Sequence, residues 1–184
     1  MISRDEALEL LKANVSEENL IQHSLESEVV LGALAEKLGQ DIELWSITGL
    51  LHDLDYGQTA DQPEKHGLVS AEMLEGKLPE EAIQAIRAHN GDMTGVPPQT
   101  DFDFALRCGE TVTGLIHANA LMRPEKMKGM TPKSLKKKMK SKAFAASVSR
   151  EIIGECEKIG LDMGDFFAMS IEAIDRIAPE VGLE

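Results

Sequence analysis

Apolar residues recur at every third or fourth position along almost the whole of this 184-residue chain, and almost nowhere do they alternate with polar ones. That property excludes most architectures. A strand with one buried face needs a period of two and a helix needs 3.6, so one pattern cannot serve both. The end signals agree. Ser3 and Glu6 make a capping box ahead of Ala7, Leu8, Leu10 and Leu11. Ser16 is placed to cap a second helix, with Leu20, Val30, Leu34 and Leu38 on its apolar face and Gly39 at its end. Asp41 opens a third through Ile42, Trp45 and the run Ile47 to Leu51, ending near Asp53. Turn-rich stretches at 55–67 and 90–100 read as loops. Further helices are predicted over His66 to Leu74, over Pro79 to His89 with Pro79 at the first position, and over Phe102 to Leu121. A basic helix opens at Thr131 and Pro132, and Asp162 caps a last one. The expectation is an all-α, compact single-domain helical bundle over residues 1–184, of about eight or nine helices.

Bulk properties narrow the function. Two cysteines, Cys108 and Cys156, are too few for a disulfide framework and point to a reducing compartment. No apolar run reaches the length of a membrane span, and the charged, amphipathic first twenty residues lack a signal core. A cytoplasmic chain without a membrane partner is expected. The formal net charge of -13 repels phosphate backbones, so no stable nucleic-acid partner is expected either. The charge is uneven, however. Nine of the 19 Lys and Arg residues lie between Arg123 and Lys142, where the only acid is Glu125. Such a segment is either a solvated helix face or a place where an anion docks.

The five histidines are not scattered. His23 lies three residues after Leu20 and seven before Val30, on the buried stripe, beside the small Ser24 and Ser27. His89 lies three after Ile86 and six after Ile83, also inward and at a helix end. Glu110 shares a stripe with Leu106, Thr113 and His117, where a carboxylate needs a compensating partner. The apolar run before residue 52 ends abruptly in His52 and Asp53. Neighbouring helical side chains diverge by roughly 100°, so both can hold one ion only near a helix end. Imidazole with carboxylate suits Mn, Fe, Zn, Ni or Co better than Ca or Mg.

The segments QHS (22–24), LLHDLD (50–55), KHGLVSAEML (65–74), IRAHN (86–90) and GETVTGLIHANALMRP (109–124) resemble the pattern of HD-domain metal-dependent phosphohydrolases. SLKKKMKSKAFAASVSRE (134–151) is similar to the continuation in one bacterial branch of that family, and the likeness covers roughly residues 18–155. The resemblance implies a helical bundle of the HD-domain type. It implies that His23, His52, Asp53 and Glu110 hold a first divalent ion, and that His66 and His89 hold a second, bridged by Asp53. In this family the last ligand is normally Asp; Glu110 reaches one methylene further. His117 matches no family ligand.

With one or two ions the expected chemistry is hydrolysis of a phosphate ester of a small metabolite, with a nucleotide as the first guess, by metal-activated water. No protein nucleophile is needed, and no GxSxG or glycine-rich phosphate loop is present. Asp53 and Asp55 are the candidate catalytic carboxylates. Asp55 would orient the water or protonate the leaving group, although an Asp beside Gly57 also has a plain use in a turn. Arg123, Lys136, Lys137, Lys140 and Arg150 are the candidates for holding substrate phosphates. The expected partner is a small phosphorylated substrate, with a homodimer left open. The alternative is a non-catalytic metal- or nucleotide-sensing module.

Overall fold

Each segment predicted to be helical is helical in the computed structural model, which describes residues 1–184 and holds no strand. In chain order the α-helices are α1 (Arg4–Asn14), α2 (Glu18–Leu38), α3 (Ile42–Leu51), α4 (Tyr56–Thr59), α5 (Leu68–Leu74), α6 (Glu80–His89), α7 (Gly91–Thr94), α8 (Asp101–Leu121), α9 (Pro132–Met139), α10 (Arg150–Gly154) and α11 (Met163–Arg176). A 3-10 turn, Glu155–Ile159, extends α10. The capping boxes at Ser3–Glu6 and at Thr131 form, and Asp41 and Asp162 cap α3 and α11 through their side chains.

The differences are local. The eleven α-helices exceed the eight or nine expected because α4 and α7, four residues each, lie in the two segments read as loops, and the five-residue α10 is not among the predicted helices. One turn is too short to show a period. Glu17 rather than Ser16 occupies the N-cap of α2, and the Ser16 hydroxyl donates instead to the Glu17 carboxylate at 3.1 Å. Pro79 is the extended N-cap of α6 rather than its first helical residue. His66 sits in the turn before α5.

The long helix α2 packs along α3, α8 and α11, and two glycines let its neighbours come close. A methyl group on Gly49 of α3 would lie 2.6 Å from the Ser27 carbonyl oxygen, and one on Gly109 of α8 would lie 2.7 Å from Leu31 Cδ2. Both contacts fall one or two turns beyond His23 on α2. The helices carrying His52, Asp53 and Glu110 are thereby drawn against the helix carrying His23. Around this junction 43 buried apolar residues form one core, with Trp45 stacked on Phe102 at 4.5 Å between ring centres. No helix is long and apolar enough to cross a membrane.

Candidate metal centre

After Leu51 the chain tightens into a turn, with the Leu54 and Tyr56 amides donating to the Leu51 and Asp53 carbonyls. That turn lets the side chains of His52 and Asp53 face the same space. Asp53 is the hub. Its Oδ1 lies 3.2 Å from His52 Nε2, 3.2 Å from His66 Nε2 and 3.4 Å from His89 Nε2, while Oδ2 lies 3.6 Å from His23 Nε2. His23, His52 and Asp53 thus bring one set of ligand atoms together, and Asp53, His66 and His89 a second. Glu110 stands at the rim of the first set, its Oε2 3.8 Å from His23 Nε2. Its other oxygen accepts the Thr111 hydroxyl.

The hydrogen bonds fix the tautomers. His52 Nδ1 lies 2.8 Å from the Gly49 carbonyl, His89 Nδ1 2.7 Å from the Ile86 carbonyl and His66 Nδ1 2.8 Å from an Asp55 oxygen. Carbonyls and carboxylates only accept, so each Nδ1 carries the proton. His23 Nδ1 lies 2.8 Å from Thr113 Oγ1. That hydroxyl spends its own proton on the Glu110 carbonyl at 2.7 Å, so it too must accept. In each neutral ring Nε2 is therefore left as a lone pair, and all four Nε2 atoms point toward one carboxylate. This is how metal-binding imidazoles are usually oriented, with the remote N–H held by an acceptor. His66, whose proton affinity is raised, also holds a proton at Nε2 that an ion would displace.

Two of the converging atoms, His52 Nε2 and Asp53 Oδ1, are buried and have no hydrogen-bond partner although they lie 3.2 Å apart. Acceptors this close repel unless a cation or a proton lies between them, so the donor set fits divalent ions. Proton affinities reflect the crowding. Burial pushes the His52 imidazole down to about 3. Burial alone would raise the Asp53 carboxyl, but the surrounding histidines outweigh it and hold Asp53 well below the usual range. His66 goes the other way. Against the effect of burial, the Asp53 and Asp55 carboxylates lift it to about 10. Burial raises Glu110.

Above this floor opens a cleft of about 410 Å³. Its walls are Leu20, Tyr56, Asn90, Thr111, Gly114 and the stretch Ser147, Val148, Ser149 and Ile152. None of its 14 lining residues is Lys or Arg. The substrate-binding expectations for the basic residues are corrected accordingly. Arg123 lies past the end of α8, an end that is itself roughly 16 Å along the helix from Glu110, and donates to the Lys128 carbonyl at 2.7 Å. Lys136 Nζ lies 3.9 Å from an Asp162 oxygen, and Lys137 lines a separate groove with Met122 and Phe144. Lys140 ends α9 and does not line the cleft. Arg150 donates to the carbonyls of Ser141, Phe144, Ala145 and Val148, so it folds the cleft wall instead of facing a ligand. Positive charge in a sequence says that a side chain tolerates water, not which way it points.

Asp55 is corrected too. It is fully buried and does not line the cleft. One oxygen takes His66 Nδ1–H, and the other takes the Gly67 and Ser70 amides at 2.8 and 2.9 Å. With burial opposing and these donors prevailing, its carboxyl is held low, so it is no proton donor. It instead orients His66 at the start of α5. Gly67 is required beside it: φ is +89°, and a methyl group there would lie 2.7 Å from His89 Cε1. Arg107 on α8, unnoticed in the sequence, holds the end of α6 through the Ala88 and His89 carbonyls at 3.2 and 3.1 Å, and is paired to Glu155 at 2.7 Å. The signal was present: Arg107 lies three residues before Glu110 on the same inward stripe.

Comparison with known proteins gives a consistent result. A model of the HD domain matches residues 20–140. Ribonuclease Y of Nitratidesulfovibrio vulgaris is 33% identical over 101 residues, which is 53% of this chain and 18% of that protein. Ribonuclease Y of Desulfotalea psychrophila is 29% identical over 99 residues, with shares of 53% and 18%. Ribonuclease Y of Oleidesulfovibrio alaskensis is 28% identical over 144 residues, with shares of 73% and 26%. The chain therefore spans about a fifth to a quarter of the length of these curated relatives. No solved structure matches it.

Proposed function

The chain belongs to the HD-domain family, and from that premise we propose that it is a metal-dependent phosphohydrolase cleaving a phosphate ester of a small metabolite, with a nucleotide as the first candidate. The observation that carries this reading is the convergence of four Nε2 atoms on Asp53, with His52 Nε2 and Asp53 Oδ1 buried and 3.2 Å apart with no hydrogen bond between them. His23, His52, Asp53 and Glu110 would hold one ion, and Asp53, His66 and His89 a second. When bound, divalent ions supply Lewis acidity toward a phosphoryl oxygen and lower the pKa of water.

The residues do the rest. Asp53 stays ionised throughout the neutral range and keeps an oxygen toward each ligand set. Thr113, Gly49, Asp55 and Ile86 hold the four imidazoles with Nδ1 outward and Nε2 inward, so no ring has to reorient on binding. Thr111, Ser147 and Ser149 bring hydroxyl-bearing side chains to the cleft and are suited to orient the ester. Leu20, Val148 and Ile152 add apolar surface to the cleft, which displaces water. The test is turnover of a phosphate-ester panel by protein reconstituted with Mn, Fe, Ni, Co or Zn. Metal bound at the site with no ester hydrolysed would favour the non-catalytic module.

A second reading has one observation behind it: the matched relatives are named as ribonucleases, so an RNA phosphodiester belongs in the panel. The net charge of -13 weighs against it.

A further inference from the structure

The cleft differs from the usual anion site in one respect, and that difference bears on the substrate. No Lys or Arg lines it, and the basic groups nearest to it in the chain are committed elsewhere. Lys65 bonds the Gln62 side chain at 2.6 Å, Arg150 is occupied by four carbonyls, and Arg107 is buried against Glu155 and the end of α6. Any positive charge that meets a substrate must come from the metal positions. Even two divalent ions, set against the Asp53 and Glu110 carboxylates, leave only two net positive charges. One phosphoryl group carries about -1.5 to -2 at neutral pH and matches that. A second and a third would sit in a cleft with nothing cationic to meet them, on a protein whose net charge is -13.

The walls say what else the ligand has. Tyr56 is 42% exposed and stands edge-on against His66, 5.3 Å between ring centres. Leu20, Val148 and Ile152 line the same cleft. A flat, partly apolar body can pack against these side chains while its phosphoryl group reaches Asp53 and the histidines of the same cleft.

We infer that the cleft selects phosphomonoesters bearing a single phosphoryl group on a flat organic body, and discriminates against di- and triphosphates of the same body. This rests on the phosphohydrolase reading above and names the substrate class of that site. The experiment measures binding, by calorimetry on the metal-loaded full chain, of a nucleoside mono-, di- and triphosphate sharing one base. Metal content is measured again after each titration to detect stripping. Turnover of the same three compounds is recorded separately. The monophosphate should bind at least tenfold more tightly than the triphosphate, and Tyr56→Leu should weaken it several-fold more than Tyr56→Phe. Ser147→Lys, which adds one cation on an exposed wall position, should tighten the triphosphate threefold or more and the monophosphate less. Equal or tighter binding of the triphosphate with the metal retained overturns the inference, as does an unchanged triphosphate affinity in Ser147→Lys. Absence of turnover with the binding order intact would sink the hydrolase reading and leave the selectivity standing.

Discussion

The two halves of the centre are built differently. His23 and His52 are carried by the long helix α2 and by the residue that caps α3, two helices joined through Gly49 and locked into the main core. His66 and His89 stand on the turn before α5 and at the last residue of α6. They are held by polar contacts: Asp55 on His66, Arg107 on the end of α6, and Asn90 donating to the Pro63 and His66 carbonyls at 2.8 and 3.3 Å. Apolar packing makes the first half robust to losing any one hydrogen bond. The second half depends on a few directional contacts, each replaceable by one substitution. One ion position is thus set by the fold itself and the other by a network laid over it.

The largest effect should come from the residue the halves share. Asp53→Ala removes a ligand from both sets, so high-affinity metal should vanish and kcat/KM should fall by about 10³-fold or more. Elemental analysis of the purified variant checks this, and full occupancy would break the comparison at its root. Next come His66→Ala and His89→Ala. Each should lose one of two ions and most activity while keeping the other ion. A stoichiometry of one metal per chain in the parent at saturation, with unchanged content in both variants, would show that only the helical half binds.

Asp55→Asn sharpens the contrast further. It touches no metal position, yet it disturbs the His66 Nδ1 contact and should weaken the second ion by about 10–100-fold while sparing the first. Competition titration against a chelator separates the two. The smallest effect lies outside both halves. The His117 imidazole, bonded to buried Glu26 at 2.6 Å, is raised above its ordinary 6.5 by that contact. A raised folded-state value means the pair stabilises fully below about pH 6.5 and loses that contribution as pH rises through the folded value. His117→Ala should therefore cost about 1–3 kcal/mol at pH 6 and less at pH 9. Denaturant unfolding at the two pH values measures it, and metal content should not change.

The same contrast explains what could be read from the sequence. Helices of about two turns or more announce themselves because the core selects every third or fourth residue, and α4, α7 and α10 fall below that threshold. The histidines on α2 and α6 were readable because their phase against Leu20, Ile83 and Ile86 is a local property. The network around the second half was not. Whether Asp55 faces solvent, substrate or His66 depends on where α5 begins in space, and no spacing encodes that. The cleft wall is the extreme case. Ser147, Val148 and Ser149 reach the site because Arg150 gathers four carbonyls of the preceding segment, a tertiary contact that reads in one dimension as one more positive charge.

The unpaired His52 Nε2 and Asp53 Oδ1 have a consequence for the life of the chain in a cell. Buried polar atoms without partners cost about 1–3 kcal/mol each, a sizeable share of a domain's whole margin against unfolding. An ion that binds only the folded chain offsets this and adds roughly 4 kcal/mol when present at a thousandfold excess over its dissociation constant. Starved of metal, the chain would open more often and meet proteases more often, so its abundance would follow the supply of the ion.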